Sequence, residues 1–381
     1  MLKKVAFFVL SIFLITGMST YAIGINEERV GISEEVYDES FFEELRMTVV
    51  REELAMQGIQ PERNLSFDEV LTSLQSSSVQ VPQKTQLMKE IQSLHDAEYI
   101  HMTLNGDIYS SKEGYIGKAE ETPISYDEPS EMELEELRVK SSQEIQPMAA
   151  SPSQVYGGTT GAFKREQLKF EGFDGIIADI KLPKVSNIPL KPDGTSYEQA
   201  WVYYGFDSEH WKKGVEGGFA FQTGSNHWKG YIKFKSGDDG FEYENSKGKF
   251  FIIPNNGTTV KNYKFYLKNV NGKVKAFLVI AGGSPVVAST ATPFVPQDLE
   301  KMSVKRVTSI AKDNFNGSNI QTRSRNQKFI NTMVSKHDSW KYASWPDSDT
   351  YSEVFQGKIR GTVICTDNYI HVKNHETSIY K

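Results

Sequence analysis

The chain has 381 residues, of which 38% are hydrophobic, 24% charged and 12% aromatic. That is apolar matter enough for two or three packed domains at about 150 residues each, and it excludes a chain disordered throughout. The single cysteine, Cys365, excludes a disulfide scaffold and any site built from several thiolates. The net charge of −6 divides into +2 on residues 1–22, −17 on residues 23–150 and +9 on residues 151–381. Such a split suggests an interaction in cis or separate partners for the two halves.

Residues 1–22 read as an export signal. Lys3 and Lys4 precede an apolar run over 5–15, and Thr20-Tyr21-Ala22 fits the small-x-small cleavage rule. The expectation is cleavage after Ala22 and a secreted, extracellular product with no membrane attachment. The run is short for a span and lacks a basic stop-transfer flank, which weighs against the alternative of an uncleaved anchor. No later run is long and apolar enough for a membrane-spanning helix. Export with one cysteine suits a bacterium of Gram-positive type.

Residues 34–118 predict a small, acidic helical unit closed by a hairpin. Ser40-Phe41-Phe42-Glu43 reads as a capping box before Phe42, Leu45, Val49 and Met56, and Gly58 ends the run. Ser66-Phe67-Asp68-Glu69 repeats the device before Val70, Leu71 and Leu74. Leu87, Met88, Ile91 and Leu94 mark a third helix after Pro82. Residues 99–104 and 107–109 flank Asn105-Gly106, a type I′ hairpin signal. The apolar stripes read as a modest core. Residues 119–153 carry Glu120, Glu121, Asp127, Glu128, Glu131, Glu133, Glu135 and Glu136 among prolines and serines. This reads as an acidic linker with room for one short helix at 131–140.

Residues 154–381 hold all five tryptophans and read as one β-domain. Strands are predicted near 163–170, 174–181, 199–206, 216–222, 229–235, 240–244, 249–253, 260–270, 273–281, 302–311, 355–365 and 369–373. Asn271-Gly272 predicts a type I′ turn. Residues 313–350 read as a polar excursion with a short helix near 326–335. The expected fold is mainly β, an antiparallel jelly-roll-like sandwich preceded by the helical unit.

Alternation sorts the strand faces. Val202, Phe206, Phe219, Phe221, Ile232, Phe234, Phe265 and Leu267 fall on core faces. If the strands share one sheet, its other face carries Trp201, Tyr203, Gln222, Tyr231, Lys233, Tyr266 and Lys268. Flat rings mixed with cations and an amide suit a sugar or an anionic glycan. The alternative is that the 281–302 or 313–350 segment covers these rings and makes them second-layer core.

Four stretches carry a resemblance. They are Tyr156-Gly157-Gly158, Ala200-Trp201-Val202-Tyr203-Tyr204-Gly205-Phe206-Asp207, Gly217-Gly218-Phe219-Ala220-Phe221-Gln222 and Tyr369-Ile370-His371-Val372-Lys373. Over the last 225 or so residues the chain resembles the secreted YrpD-type proteins of Bacillus. The strand order is also similar to concanavalin-type jelly rolls, a fold that hosts lectins, glycanases and peptidases. Neither resemblance supplies a mechanism.

Motifs for known chemistry are sparse. There is no His-Glu-x-x-His, no Gly-x-Ser-x-Gly and no phosphate-binding glycine loop. His371 and His375 fall on a strand and its exit, where a four-residue spacing does not converge. Cys365 reads as a buried apolar residue. Asp238-Asp239 and Asp347-Ser348-Asp349 read as turns, with calcium binding the alternative; otherwise no cofactor is expected. Glu242 and Glu244 share a strand face, and Glu209 and Glu216 lie near aromatic residues, but no pair is bound to converge. Phe221-Gln222-Thr223-Gly224 is similar to the Gln-bearing strand of glutamic peptidases, where a Gln and a Glu together activate water. Their Glu-Trp partner motif occurs nowhere in this chain.

The expected function is a secreted binding protein whose basic, aromatic sandwich takes a glycan or anionic wall polymer and is masked in cis by the acidic half. A secreted hydrolase of glycans or peptides with an N-terminal propeptide is the first alternative. A structural surface or matrix protein is the second. Nucleic acid is not an expected partner.

Overall fold

After residue 160, β-branched and aromatic residues alternate with polar ones over most of the chain, the pattern of pleated strands with one apolar face. The computed structural model describes residues 35–121 and 161–380, apart from 61, 63, 77–80, 195, 209–212, 225, 237–238, 245–251, 281–284, 313–320, 338, 340, 347–349, 356–361 and 368–374. Residues 1–34, with the expected export signal, and 122–160, most of the expected linker, lie outside this set. Of the two units into which the chain divides, the larger is Tyr37–Lys381.

Three helices come first, α1 (Glu39–Met56), α2 (Phe67–Ser76) and α3 (Val81–His95). The strands β1 (Glu98–Met102), β2 (Asp107–Ser110), β3 (Gly114–Lys118) and β4 (Glu120–Glu121) follow. Next are β5 (Gly161–Leu168), β6 (Phe173–Lys181), β7 (Lys184–Ser186), β8 (Glu198–Ser208), β9 (Lys213–Gln222), β10 (His227–Ser236), β11 (Asp239–Glu244) and β12 (Ile252–Pro254). The remainder are β13 (Thr259–Val270), β14 (Lys273–Ile280), β15 (Val286–Ala291), β16 (Ser303–Lys312), β17 (Arg323–Lys336), β18 (Tyr342–Ser344), β19 (Thr350–Phe355), β20 (Thr362–Asp367) and β21 (His375–Tyr380).

They build two sheets. The larger runs β20-β21-β17-β6-β13-β14-β15-β1-β2-β3, with β7 and β18 on β17. The smaller runs β19-β5-β16-β8-β9-β10-β11-β4, with β12 on β10. Ile176, Phe265 and Leu278 of the larger sheet meet Val202, Phe219 and Ile232 of the smaller in one core, so the fold is a mainly β sandwich. Every pairing among the described strands is antiparallel except β1 with β15, which is parallel.

The helices cover the outer face of the larger sheet. Phe41, Phe42, Leu45 and Val49 of α1 pack on Tyr99, Tyr266, Phe277 and Val279. The opposite side of α1 meets α2 and α3 through Met47, Val50, Leu54, Val70, Leu74, Leu87 and Ile91. Each such buried side chain contributes about 1.5–3 kcal/mol. No helix among the described residues is long and apolar enough to cross a membrane.

Several local expectations need correction. Residues 326–335 are not a helix but the middle of β17, fourteen residues long, lying between β6 and β21. The reason is a polar inward face. Gln327 accepts a hydrogen bond from Thr308 at 2.8 Å, and Thr332 accepts one from buried Arg306 at 2.7 Å. Arg306 also donates from Nε to Glu166 at 2.6 Å and stacks over Trp345 at 4.6 Å. Asn326 (φ 63) and Asn331 (φ 54) take the left-handed region where the register of β17 shifts.

The 281–302 segment contributes β15 as a sheet member, and the predicted 355–365 strand is two, β19 and β20. At Asn105-Gly106 only Gly106 (φ 78) is left-handed, and its N–H donates to Thr103 O at 3.1 Å, so the turn is not type I′. Asn271 (φ 52) and Gly272 (φ 79) do form that turn. The cap of α1 is Asp38, whose carboxylate accepts from the Phe41 N–H at 3.1 Å. Ser66 and Glu69 form their capping box, with the Ser66 N–H donating to Glu69 at 2.8 Å.

His101 on β1 is wholly buried. Its Nδ1 lies 2.9 Å from Ser289 Oγ on β15, and the rings of Tyr37 and Phe41 cover it at 5.7 and 4.9 Å. Burial, helped by Lys275 and Lys273, holds the imidazole well below its ordinary value of 6.5. Below that value the unfolded chain binds a proton here that the folded chain does not, so stability falls as pH falls. The slope is at most about 1.4 kcal/mol per pH unit. Denaturant midpoints measured from pH 7 to 5 should drop in the parent chain and drop less in His101→Gln. Equal slopes would show that His101 is not the group responsible.

Candidate binding face on the smaller sheet

The outward face of the smaller sheet alternates with its core face. On β8, Ala200, Val202, Tyr204 and Phe206 join the core. Trp201, Tyr203, Gly205 and Asp207 therefore point the other way. The same alternation turns Gly214, Glu216, Gly218 and Ala220 outward from β9, and Tyr231 and Lys233 from β10. Tyr203, Ala220, Tyr231 and Val307 form a small cluster here, with Trp201 packed against it.

Glycines let this face sink. Gly205 lies between Lys305 of β16 and Glu216 of β9 in register. A Cβ at 205 would stand 2.5 Å from Lys305 Cε, and one at 214 would stand 2.8 Å from Asp207 Oδ1. Gly218 lies between Tyr203 and Tyr231, where a Cβ would stand 2.4 Å from Tyr203 Cβ. The missing side chains leave room for an ammonium, a carboxylate and a ring to lie flat on the sheet.

An ion chain fills that room. Lys305 Nζ is 2.9 Å from Asp207 Oδ2 and 3.0 Å from Glu216 Oε1. Lys233 Nζ is 3.2 Å from Glu216 Oε2 and 5.3 Å from the Trp201 ring centroid. Trp201 meets Tyr231 edge-on at 4.7 Å. Lys305 (3% exposed), Glu216 (7%) and Asp207 (8%) are buried. Burial disfavours the charge on Glu216, but Lys233 and Lys305 outweigh it and hold its carboxyl at about 2. Burial pushes the Asp207 carboxyl up, Lys305 does not fully offset it, and Glu216 adds to it. Two carboxyls that share one ammonium are thus driven apart in acidity.

The seven expected platform residues do not share one exposed face. Trp201, Tyr203, Tyr231 and Lys233 come together, but Tyr231 (0%) and Tyr203 (8%) are buried and Trp201 is half-buried. Tyr266 and Lys268 lie on β13 in the larger sheet, beneath α1. Gln222 closes β9 in register with His227. Asp238, His371 and the 347–349 aspartates lie outside the described residues. Asp239 opens β11, Cys365 lies in β20 opposite Thr377, and His375 opens β21. Among the described residues no group of three or more His, Cys, Asp or Glu is placed to hold a metal ion. Asp207 and Lys305 were not anticipated; glycines at alternate outward positions were the signal that side chains lie across the sheet there.

No protein-family model and no curated protein matches the chain. Among solved structures it is similar to scytalido-glutamic peptidase with a peptide-based transition state analog (14% identity, 57% of this chain and 97% of that one, TM-score 0.36). It is also similar to SCP-B, a member of the eqolisin family of peptidases, in complex with the tripeptide Ala-Ile-His (12%, 58% and 98%, 0.35). A third likeness is to the alginate lyase from Klebsiella pneumoniae (10%, 55% and 59%, 0.23). At these scores no activity carries over.

Burial separates the two rings by experiment. Tyr231→Ala should cost about 3–5 kcal/mol of stability, the range for emptying a large aromatic position in a core. Trp201→Ala should cost clearly less, because its ring is only partly buried. Denaturant melts of both variants decide it, and equal losses would place both rings in the core.

Proposed function

We propose that this is a secreted protein that binds a glycan or an anionic surface polymer on the outward face of its smaller sheet. The observation that carries this reading is Trp201, half-buried and seated edge-on against Tyr231, with the Lys233 ammonium 5.3 Å from its ring. A ring held this way offers a flat apolar surface to a sugar, and the ammonium beside it favours one bearing carboxylate or phosphate. The largely buried ion chain below holds the Lys233 ammonium in place beside the ring. The +9 charge of residues 151–381 favours an anionic polymer at short range, against the −17 of residues 23–150, and salt weakens both effects.

The test is titration of the full secreted chain with polygalacturonate, a neutral glucan and a wall polymer rich in phosphate. Trp201→Ala should weaken the favoured ligand about fivefold to tenfold, since one stacking contact is worth on the order of 1 kcal/mol. An unchanged affinity in a folded Trp201→Ala protein would remove the face from consideration.

One observation favours a second reading, hydrolysis. Asp207 and Glu216 form the carboxyl pair with opposed shifts that acid–base chemistry needs. In that reading Asp207 is the more readily protonated of the pair, Glu216 the more firmly ionised, and the N-terminal half is a propeptide. Release of reducing ends or new amines from a polymer by the parent chain, and its loss in Glu216→Gln, would favour it over binding alone.

A further inference from the structure

A second lysine-and-ring strip lies on the other sheet, and α1 sits on it. Lys264, Tyr266 and Lys268 alternate outward from β13, and their partners on β14 are Val279, Phe277 and Lys275. Tyr266 stacks on Phe277 at 5.3 Å, and Lys268 Nζ lies 5.9 Å from the Tyr266 centroid. Three ammonium groups and two rings lie side by side on this strip.

Its present occupant is anionic. Glu52 (3% exposed) and Glu53 (6%), adjacent on α1, are both buried against the strip. Glu53 pairs with Lys264. Glu52 lies 2.8 Å from Lys268 Nζ and accepts from the Tyr342 hydroxyl at 2.8 Å. Lys268 also touches Asp174 at 3.2 Å, which accepts from Ser335 at 2.7 Å and lies 3.5 Å from His337 Nδ1. Lys275 Nζ stands 4.5 Å from the Phe41 ring of the same helix.

For stability alone this joint is poorly chosen. Burying ions costs solvation that their attraction often fails to recover, and apolar side chains of similar size would hold the helix at least as well. Buried charge is best attested where it sets register or makes a contact switchable. Here the helix already has an apolar stripe, Phe42, Leu45 and Val49, to hold it. The two carboxylates add recognition of the lysines.

We propose that this strip is a second anion-binding face, for a carboxylate-bearing polysaccharide, and that α1 is its resident cover, with Glu52 and Glu53 standing where ligand carboxylates bind. The cover is closed in the structure, so a ligand must compete with it. A ligand that binds only the uncovered form draws the population towards that form, and the linkage is reciprocal. Binding on the strip must therefore loosen α1, whereas binding on the smaller sheet need not. The inference does not rest on the Trp201 face, and the two fail separately.

Hydrogen exchange of residues 39–56 in the full chain, with and without polygalacturonate, tests it. Saturating polymer should lower the protection of α1 at least tenfold, in the parent chain and in Trp201→Ala alike. Glu52→Gln/Glu53→Gln should raise polygalacturonate affinity at least tenfold, and adding Lys268→Gln should cancel the gain. Protection of 39–56 that stays constant or rises with polymer overturns the inference, even when polymer binds through Trp201. A gain that survives Lys268→Gln overturns it too, as does failure of the folded double-Gln variant to bind. Should that variant not fold, the exchange measurement on the parent chain decides alone.

Discussion

Lys305 serves two carboxylates from two neighbouring strands at about 3.0 Å each, and it reaches them only because residue 205 has no side chain. That arrangement joins β16, β8 and β9 across their outward face by charge, where the sandwich core cannot reach. Lys233 extends it to β10 and brings an ammonium beside Trp201. Such a chain is costly to assemble, since each ion must leave water. Once assembled it is unforgiving, because removing one partner strands another buried charge. The ring it supports is correspondingly well placed.

The same economy recurs elsewhere in the fold. Between the sheets, Arg306 is answered by Glu166, Thr332 and the faces of Phe329 and Trp345. Beneath α1, Lys264 and Lys268 are answered by Glu52, Glu53 and Asp174. In each case lysine or arginine on a strand meets carboxylate from another element, and an aromatic ring lies alongside. The charge imbalance along the chain thus has a local counterpart, since Glu52 and Glu53 come from the acidic half and their lysines from the basic one.

Much of this was legible in the sequence. Strong period-two patterns such as Ala200-Val202-Tyr204-Phe206 and the Asn271-Gly272 turn marked strands and a hairpin that the structure contains. The alternation also turned Trp201, Tyr203, Lys233, Tyr266 and Lys268 away from the core between the two sheets. It could not say which sheet each strand joins, and so one imagined platform is two faces. Nor could it show that α1 lies on Tyr266, since that contact spans more than two hundred residues. β17 was hidden for another reason. Its inward residues are Ser324, Gln327 and Thr332 as well as Phe329 and Val334, and hydropathy reads such a strand as surface. The ion chain was hidden because glycine at 205, 214 and 218 reads as a turn or a weak strand rather than as room for a neighbour.

The proposed landing place of a polymer ligand is the outward face of the smaller sheet, at Trp201. Hydroxyl-radical footprinting of the full chain measures this without altering a residue. With saturating polygalacturonate, oxidation of Trp201 should fall severalfold, while that of Tyr115, exposed on the hairpin, stays constant. Trp201 oxidised at the same rate with and without bound polymer would mean that the polymer binds elsewhere.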